Sequence, residues 1–191
     1  GSVIYWGATG YGGNGYVAAP TLTNIVTISG KTAYAALNIN GGVVTWGVVT
    51  NGGDSSGKSL SANVVKVYNA YTAFAALKFD GSVVTWGEST AGGDSSSVAS
   101  ALTSGVVAIY GTQSAFAALK SNGKVITWGS SSYGGTSSSV TTDISAGVVG
   151  IYATQNAFAA LRKDGKLISW GDSGNGGSST SVSTDLSAGV V

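Results

Sequence analysis

The sequence contains no cysteine, no histidine and no methionine, and a single proline in 191 residues. Without cysteine there is neither a disulfide framework nor a thiolate nucleophile, and the chain fits an extracellular surface protein as well as a cytosolic one. Without histidine the usual general base near neutral pH is missing, as is a common transition-metal ligand. Charge is equally scarce: nine Lys and Arg against eight Asp and Glu leave a formal +1. No basic run occurs, so the electrostatic footprint of a nucleic-acid or anionic-membrane binder is lacking. Apolar runs such as Ala33 to Leu37 or Ala157 to Leu161 are far shorter than the roughly 20 residues of a membrane-spanning helix, and no charged leader with an apolar core opens the chain. These absences exclude most catalytic chemistry, argue against nucleic acid as a partner and against membrane insertion, and leave no cofactor to expect.

What is abundant is ordered by a ruler. Trp6, Trp46, Trp86, Trp128 and Trp170 each precede a glycine, at intervals of 40, 40, 42 and 42 residues, and fixed spacing of this kind marks a repeat architecture. The ruler divides residues 1–191 into a single array: a partial unit 1–6, full units 7–46, 47–86, 87–128 and 129–170, and a partial unit 171–191. Gly1-Ser2-Val3-Ile4-Tyr5-Trp6 matches Gly81-Ser82-Val83-Val84-Thr85-Trp86 in phase, so the opening residues read as native repeat.

Each unit holds three strand-length apolar segments, in the last full copy 147–153, 157–162 and 166–170, rich in Val, Ile, Phe, Tyr and Trp. Between the second and third lie Asn40-Gly41, Asp80-Gly81, Asn122-Gly123 and Asp164-Gly165, pairs that predict a two-residue type I′ hairpin. Tyr34, Phe74, Phe116 and Phe158 each stand 12 residues before their tryptophan, as a fixed pairing register would require. Alternation puts Ala157, Ala159 and Leu161 on one face and Phe158, Ala160 and Arg162 on the other, and the small alanines predict close sheet-to-sheet approach. A double glycine follows every tryptophan: Gly12-Gly13, Gly52-Gly53, Gly92-Gly93, Gly134-Gly135 and Gly176-Gly177. Such recurrence implies a geometric requirement for turns or close backbone packing. The Ser/Thr-rich stretch behind it, as in Ser137 to Ser145, reads as a loop with room for a short edge strand.

The block from Ala73 to Gly87, Ala-Phe-Ala-Ala-Leu-Lys-Phe-Asp-Gly-Ser-Val-Val-Thr-Trp-Gly, resembles the repeat of the regulator-of-chromosome-condensation family. The likeness covers nearly the whole chain, in a shortened Thr-Trp-Gly version similar to units of large microbial multi-repeat surface proteins. It departs from that family in lacking the Gln-Leu-Gly loop and the histidine before the Phe strand. The resemblance implies blade-like strand order and an extracellular or cell-surface location; the family's exchange activity on a small GTPase rests on a complete ring, and no matching residues can be carried over.

The phase of the ruler sets the expected architecture. The chain opens in a third strand and ends in a first, so a five-unit ring would lack one middle strand and expose unpaired backbone. The expected fold is therefore all-β: tandem antiparallel repeats of about 42 residues in an open curved array or propeller segment, with a closed small β-propeller as the alternative. Exposed strand edges would join other copies of the chain or adjacent repeats of a parent protein.

Other chemistry is thin. Asp80 and Asp164 occupy turns and the remaining acids are scattered, so no catalytic residue and no metal ligand is expected. Asp54 and Asp94 after the double glycine could offer oxygens to calcium, yet Asn14, Thr136 and Ser178 replace them elsewhere and polar turn roles explain them. No Gly-Lys-Ser/Thr phosphate loop is present. Aromatic side chains could stack on sugars, with Tyr11 and Tyr133 as surface candidates, which makes glycans the alternative partner. An ice- or mineral-binding face ranks lower because no Thr-x-Thr row runs through all units. The expected function is a non-enzymatic scaffold whose structural anchors are the five tryptophans and Tyr34, Phe74, Phe116 and Phe158.

Overall fold

In the computed structural model, residues 22–178 are described. They form four three-stranded antiparallel sheets in tandem that do not close into a ring. The first is β1 (Ile25–Gly30), β2 (Ala33–Asn38) and β3 (Val43–Gly47). The second is β4 (Val64–Asn69), β5 (Ala73–Lys78) and β6 (Val83–Gly87), and the third is β7 (Val106–Gly111), β8 (Ala115–Lys120) and β9 (Val125–Gly129). The fourth is β10 (Val148–Ala153), β11 (Ala157–Arg162) and β12 (Leu167–Gly171). In every sheet the chain runs through its strands in order, the alanine-rich strand in the middle. The first strands of neighbouring blades touch one another along one side, which makes that side the inner one.

The hairpin turn differs from the type I′ expectation. The Asn38, Lys78, Lys120 and Arg162 amides donate to the carbonyls of Gly42, Ser82, Lys124 and Lys166, while Gly41, Gly81, Gly123 and Gly165 donate back across the turn. The loop thus has three residues, a type I turn followed by a left-handed glycine. Gly81 has φ 76°, but Asp80 does not take positive φ. Asp80 instead turns its carboxylate to the Ser82 amide at 2.9 Å and the Ser82 hydroxyl, an Asx-type brace that needs no left-handed Asp. The longer loop also moves the third strand of the last unit to Leu167–Gly171.

Two further features repeat. Val26, Val65, Val107 and Val149 sit where the register of the first and second strands shifts. Each is the extra residue of a β-bulge, and all four are exposed. The stretches after Gly92-Gly93 and Gly134-Gly135 form short 3-10 turns, Ser96–Leu102 and Ser138–Val140, and the one after Gly52-Gly53 forms turns and bends; none of the three is an edge strand. From these linkers Leu60, Leu102 and Ile144 plunge into the core at 2–3% exposure, and the Leu60 and Ile144 carbonyls accept the amides of Val43 and Val125. A linker thereby holds the start of the third strand, so the outer edge is partly covered.

Candidate functional site: the blade-to-blade junction

Strand alternation gives each blade two unlike faces. One carries the aromatic pair: Phe74 lies opposite Trp86, Phe116 opposite Trp128 and Phe158 opposite Trp170 in direct register. Their rings stack with centroids 5.2 to 5.4 Å apart, a geometry that adds about 0.5–1.5 kcal/mol beyond area burial. Tyr34 and Trp46 stack likewise in the first blade at 5.4 Å. The other face carries Ala-x-Ala-x-Leu. Ala73, Ala75 and Leu77 pack against Phe116, Ala118, Ile126 and Trp128 of the next blade. Ala115, Ala117 and Leu119 pack in the same way against Phe158, Ala160 and Trp170, and Ala33, Ala35 and Leu37 against Phe74 and Trp86. Alanine is the right size here because a large ring fills the space opposite it. The close approach expected from the small residues is what the structure has.

The double glycine is the fastener of this junction. The indole Nε1 of Trp86 donates to the Gly52 carbonyl at 3.1 Å, Trp128 to Gly92 at 3.0 Å and Trp170 to Gly134 at 3.0 Å. Each bond is buried and runs from one blade to the loop that follows the third strand of the blade before it, so the tryptophan reads the preceding blade's loop. The first glycine is left-handed, with φ 96° at Gly92, and a Cβ there would stand 2.7 Å from the Phe116 ring. The second has a different reason: a Cβ on Gly93 would meet the Gly87 carbonyl oxygen at 2.3 Å. Gly53, Gly135 and Gly177 are pressed against Gly47, Gly129 and Gly171 in the same manner. One glycine is thus shaped by the next blade and the other by its own Trp-Gly turn.

Backbone bonds complete the contact. Val64, Val106 and Val148 donate to the carbonyls of Gly41, Gly81 and Gly123 in the preceding hairpin turn at 2.9 to 3.1 Å. Inside each blade, Thr45, Thr85 and Thr127 hydroxyls meet Ser55, Ser95 and Ser137 hydroxyls at 3.0 Å, tying the strand before tryptophan to the loop after it. Asp54 and Asp94 accept the amides of Ser56 and Ser96. That bond holds the Asp94 carboxyl below the usual carboxylate range, and both acids act as turn braces. Among the described residues no group of three metal-ligating side chains forms.

The forward face of the fourth blade differs from the three inner ones. Tyr68 and Tyr110 are half-buried against the next blade, and burial pushes the Tyr68 phenol up. Tyr152, at the same position, is 62% exposed. Ala159 and Leu161 are only half-buried, whereas their counterparts Ala117 and Leu119 are buried. Around Gly176 the nearest contact among the described residues is Thr154 Cγ2 at 4.0 Å, where Gly52, Gly92 and Gly134 meet a phenylalanine ring.

A second feature lies at the inner turns between first and second strands. Tyr71 donates its backbone amide to the Gln113 carbonyl at 2.8 Å, and Gln113 donates to Gln155 at 2.7 Å. These stacked turns line a hollow of about 710 Å³. Tyr133, a surface candidate for sugar stacking, instead packs on the core between third and fourth blades. Tyr11, Trp6, Gly12 and Gly13 lie outside the described residues. The buried linker residues and the valine bulges went unread in the sequence, although Leu60, Leu102 and Ile144 each stand four residues before the first-strand valine.

No family model matches the sequence, and no curated protein does. Solved structures do. Yeast RCC1 (Prp20), in its complex with Kap60, matches with a TM-score of 0.54 at 18% identity, over 77% of this chain and 43% of that one. The ectodomain of the Physcomitrella patens receptor kinase CR4 matches at 0.50 and 19% identity, over 84% and 46%. The CRINKLY WD40 ectodomain of the Arabidopsis thaliana receptor kinase ACR4 matches at 0.50 and 16%, over 85% and 62%. The fold is therefore that of β-propeller blades of the RCC1 and WD40 kind, and the chain spans about half the length of these structures.

Proposed function

We propose that this protein is a non-enzymatic scaffold that grows by stacking blade on blade, its forward face receiving the aromatic face of a further blade of the same type. The observation that carries this reading is the contrast at equivalent positions: Tyr152 is 62% exposed, while Tyr68 and Tyr110 pack under the following blade. Gly176 has the left-handed φ of 93° that its counterparts use to seat a phenylalanine ring and hand a carbonyl to an indole. The three filled junctions in the same molecule support this reading of the face. The means of association is the sheet face; the outer strand edges, which the sequence suggested, are partly covered by the linkers. The added blade comes from a second copy or from adjoining repeats of a longer chain, at a surface or in a filament.

Light scattering across a concentration series tests the first source. Self-association that Leu161→Lys abolishes, with the circular dichroism spectrum unchanged, supports stacking through this face. A chain that associates equally well with Leu161→Lys does so elsewhere, and the reading fails. If the chain stays monomeric, appending one more repeat of the Ala73–Gly87 type with its flanking loops must raise the melting temperature, because a stacked blade adds a junction. An appended repeat that leaves it unchanged contradicts the reading.

A further inference from the structure

We infer that the hollow at the inner turns is a binding site for a carboxylated saccharide, independent of the forward face. Its volume of about 710 Å³ falls within the range of roughly 300 to 1,000 Å³ that small-molecule sites occupy. It spans turns from all four blades; the backbone bonds from Tyr71 to Gln113 and from Gln113 to Gln155 hold the last three in fixed relation, and the Thr32 hydroxyl of the first donates to the Tyr71 carbonyl at 3.3 Å. A site built this way is organised before the ligand arrives, which lowers the ordering cost of binding.

The lining selects the ligand. Tyr71, Gln113 and Gln155 hold the same turn position in successive blades, with Lys31 beside them in the shorter turn of the first. The Gln155 Nε2 donates to Gln113 Oε1 at 2.8 Å. That bond uses one end of each amide and leaves a Gln113 donor and a Gln155 acceptor for a ligand. A hydroxyl both donates and accepts, so adjacent hydroxyls on one ring fit the pair; a bare oxyanion would be repelled by the free Gln155 oxygen, and a hydrocarbon would strand both groups. Tyr71 is 47% exposed and offers an aromatic surface for the C–H face of a pyranose. The Lys31 ammonium lies 5.7 Å from the Tyr71 ring centroid, and it is the only charged group in the lining. A carboxylate on the stacked ring would meet it, whereas no acid in the hollow would oppose that carboxylate.

Isothermal titration with trigalacturonate, its fully methyl-esterified form and sialyllactose tests this. Saturable binding of one or both acidic sugars is expected, with the ester several-fold weaker than trigalacturonate where the latter binds. Tyr71→Ala should weaken binding about tenfold or more, in line with loss of an aromatic anchor. Lys31→Ala should remove the preference for the acid while leaving the fold intact, since its side chain is exposed. Gln113→Ala should weaken acid and ester alike. Absence of saturable binding by both acidic sugars overturns the inference. So does equal affinity for acid and ester, or binding that Tyr71→Ala leaves unchanged in a protein of normal melting temperature. None of these variants touches the forward face, so a failure here leaves the stacking result standing, and the reverse.

Discussion

Gly92→Ala and Gly176→Ala form a matched pair that separates the junction from the backbone. Both glycines follow the tryptophan at the same place, and both are left-handed, at φ 96° and 93°. Alanine in that conformation costs about 1–2 kcal/mol at either site. Only at Gly92 does the added methyl strike a ring of the next blade, 2.7 Å from Phe116 Cδ2. Phe116 has nowhere to go: it is fully buried and stacked on Trp128 at 5.3 Å. Overpacking of this kind adds about 1–3 kcal/mol. Weakening the Trp128 bond to the Gly92 carbonyl, 3.0 Å long, adds about 0.5–1.5 kcal/mol more. The expected losses are therefore about 3–6 kcal/mol for Gly92→Ala and about 1–2 for Gly176→Ala. Urea denaturation followed by tryptophan fluorescence measures both. Equal losses would refute the assignment of the first glycine to the junction and leave it a plain turn residue.

Phe116→Ala should cost about 3–5 kcal/mol, the usual range for a buried aromatic, and no change in thermal denaturation would contradict its place between the second and third blades. Stability should be nearly flat from about pH 5 to 9, since the sequence has no histidine to titrate there. Hydrogen bonds from Ser82 to Asp80, Ser96 to Asp94, Arg162 to Asp164 and Gly174 to Asp172 lower these carboxyl pKa values. Their contribution is present above the unfolded value near pH 4 and is lost as pH falls through the lower folded values. The Tyr68 phenol is raised by burial, so its contribution holds below about pH 10 and is lost as pH rises through the folded value. A melting curve that instead falls between pH 5 and 8 would contradict this assignment.

The repeat, the hairpin and the aromatic pair were legible because each rests on local spacing. Twelve residues from Phe116 to Trp128 are counted along one chain segment, and the hairpin fixes their register. The partners of that pair were not legible in the same way. That Ala115 and Ala117 face Phe158 follows from the stacking of whole sheets, and no local period encodes it. The turn type was misread because Asp-Gly suits both a two-residue and a three-residue loop; the choice depends on where pairing stops, at Lys78 and Ser82. Recurrence gave the double glycine away as a constraint, but its two different causes appear only when the Phe116 ring and the Gly87 carbonyl are placed beside it. The linker residues Leu60, Leu102 and Ile144 left a faint signal, a Leu or Ile always four residues before the first-strand valine in a Ser/Thr-rich stretch, which composition alone obscures.

Hydrogen exchange at the tryptophan indoles tests the central claim, that each tryptophan fastens its own blade to the preceding one. The indole protons of Trp86, Trp128 and Trp170 donate to Gly52, Gly92 and Gly134 inside buried junctions. Followed by nuclear magnetic resonance and assigned through single Trp→Phe variants, these three signals should exchange as slowly as the amides of the middle strands, and Gly92→Ala should speed exchange at Trp128 before it does so at Trp86. Indole protons that exchange at the rate of free tryptophan, while strand amides stay protected, would show sheets that fold without the fastening described.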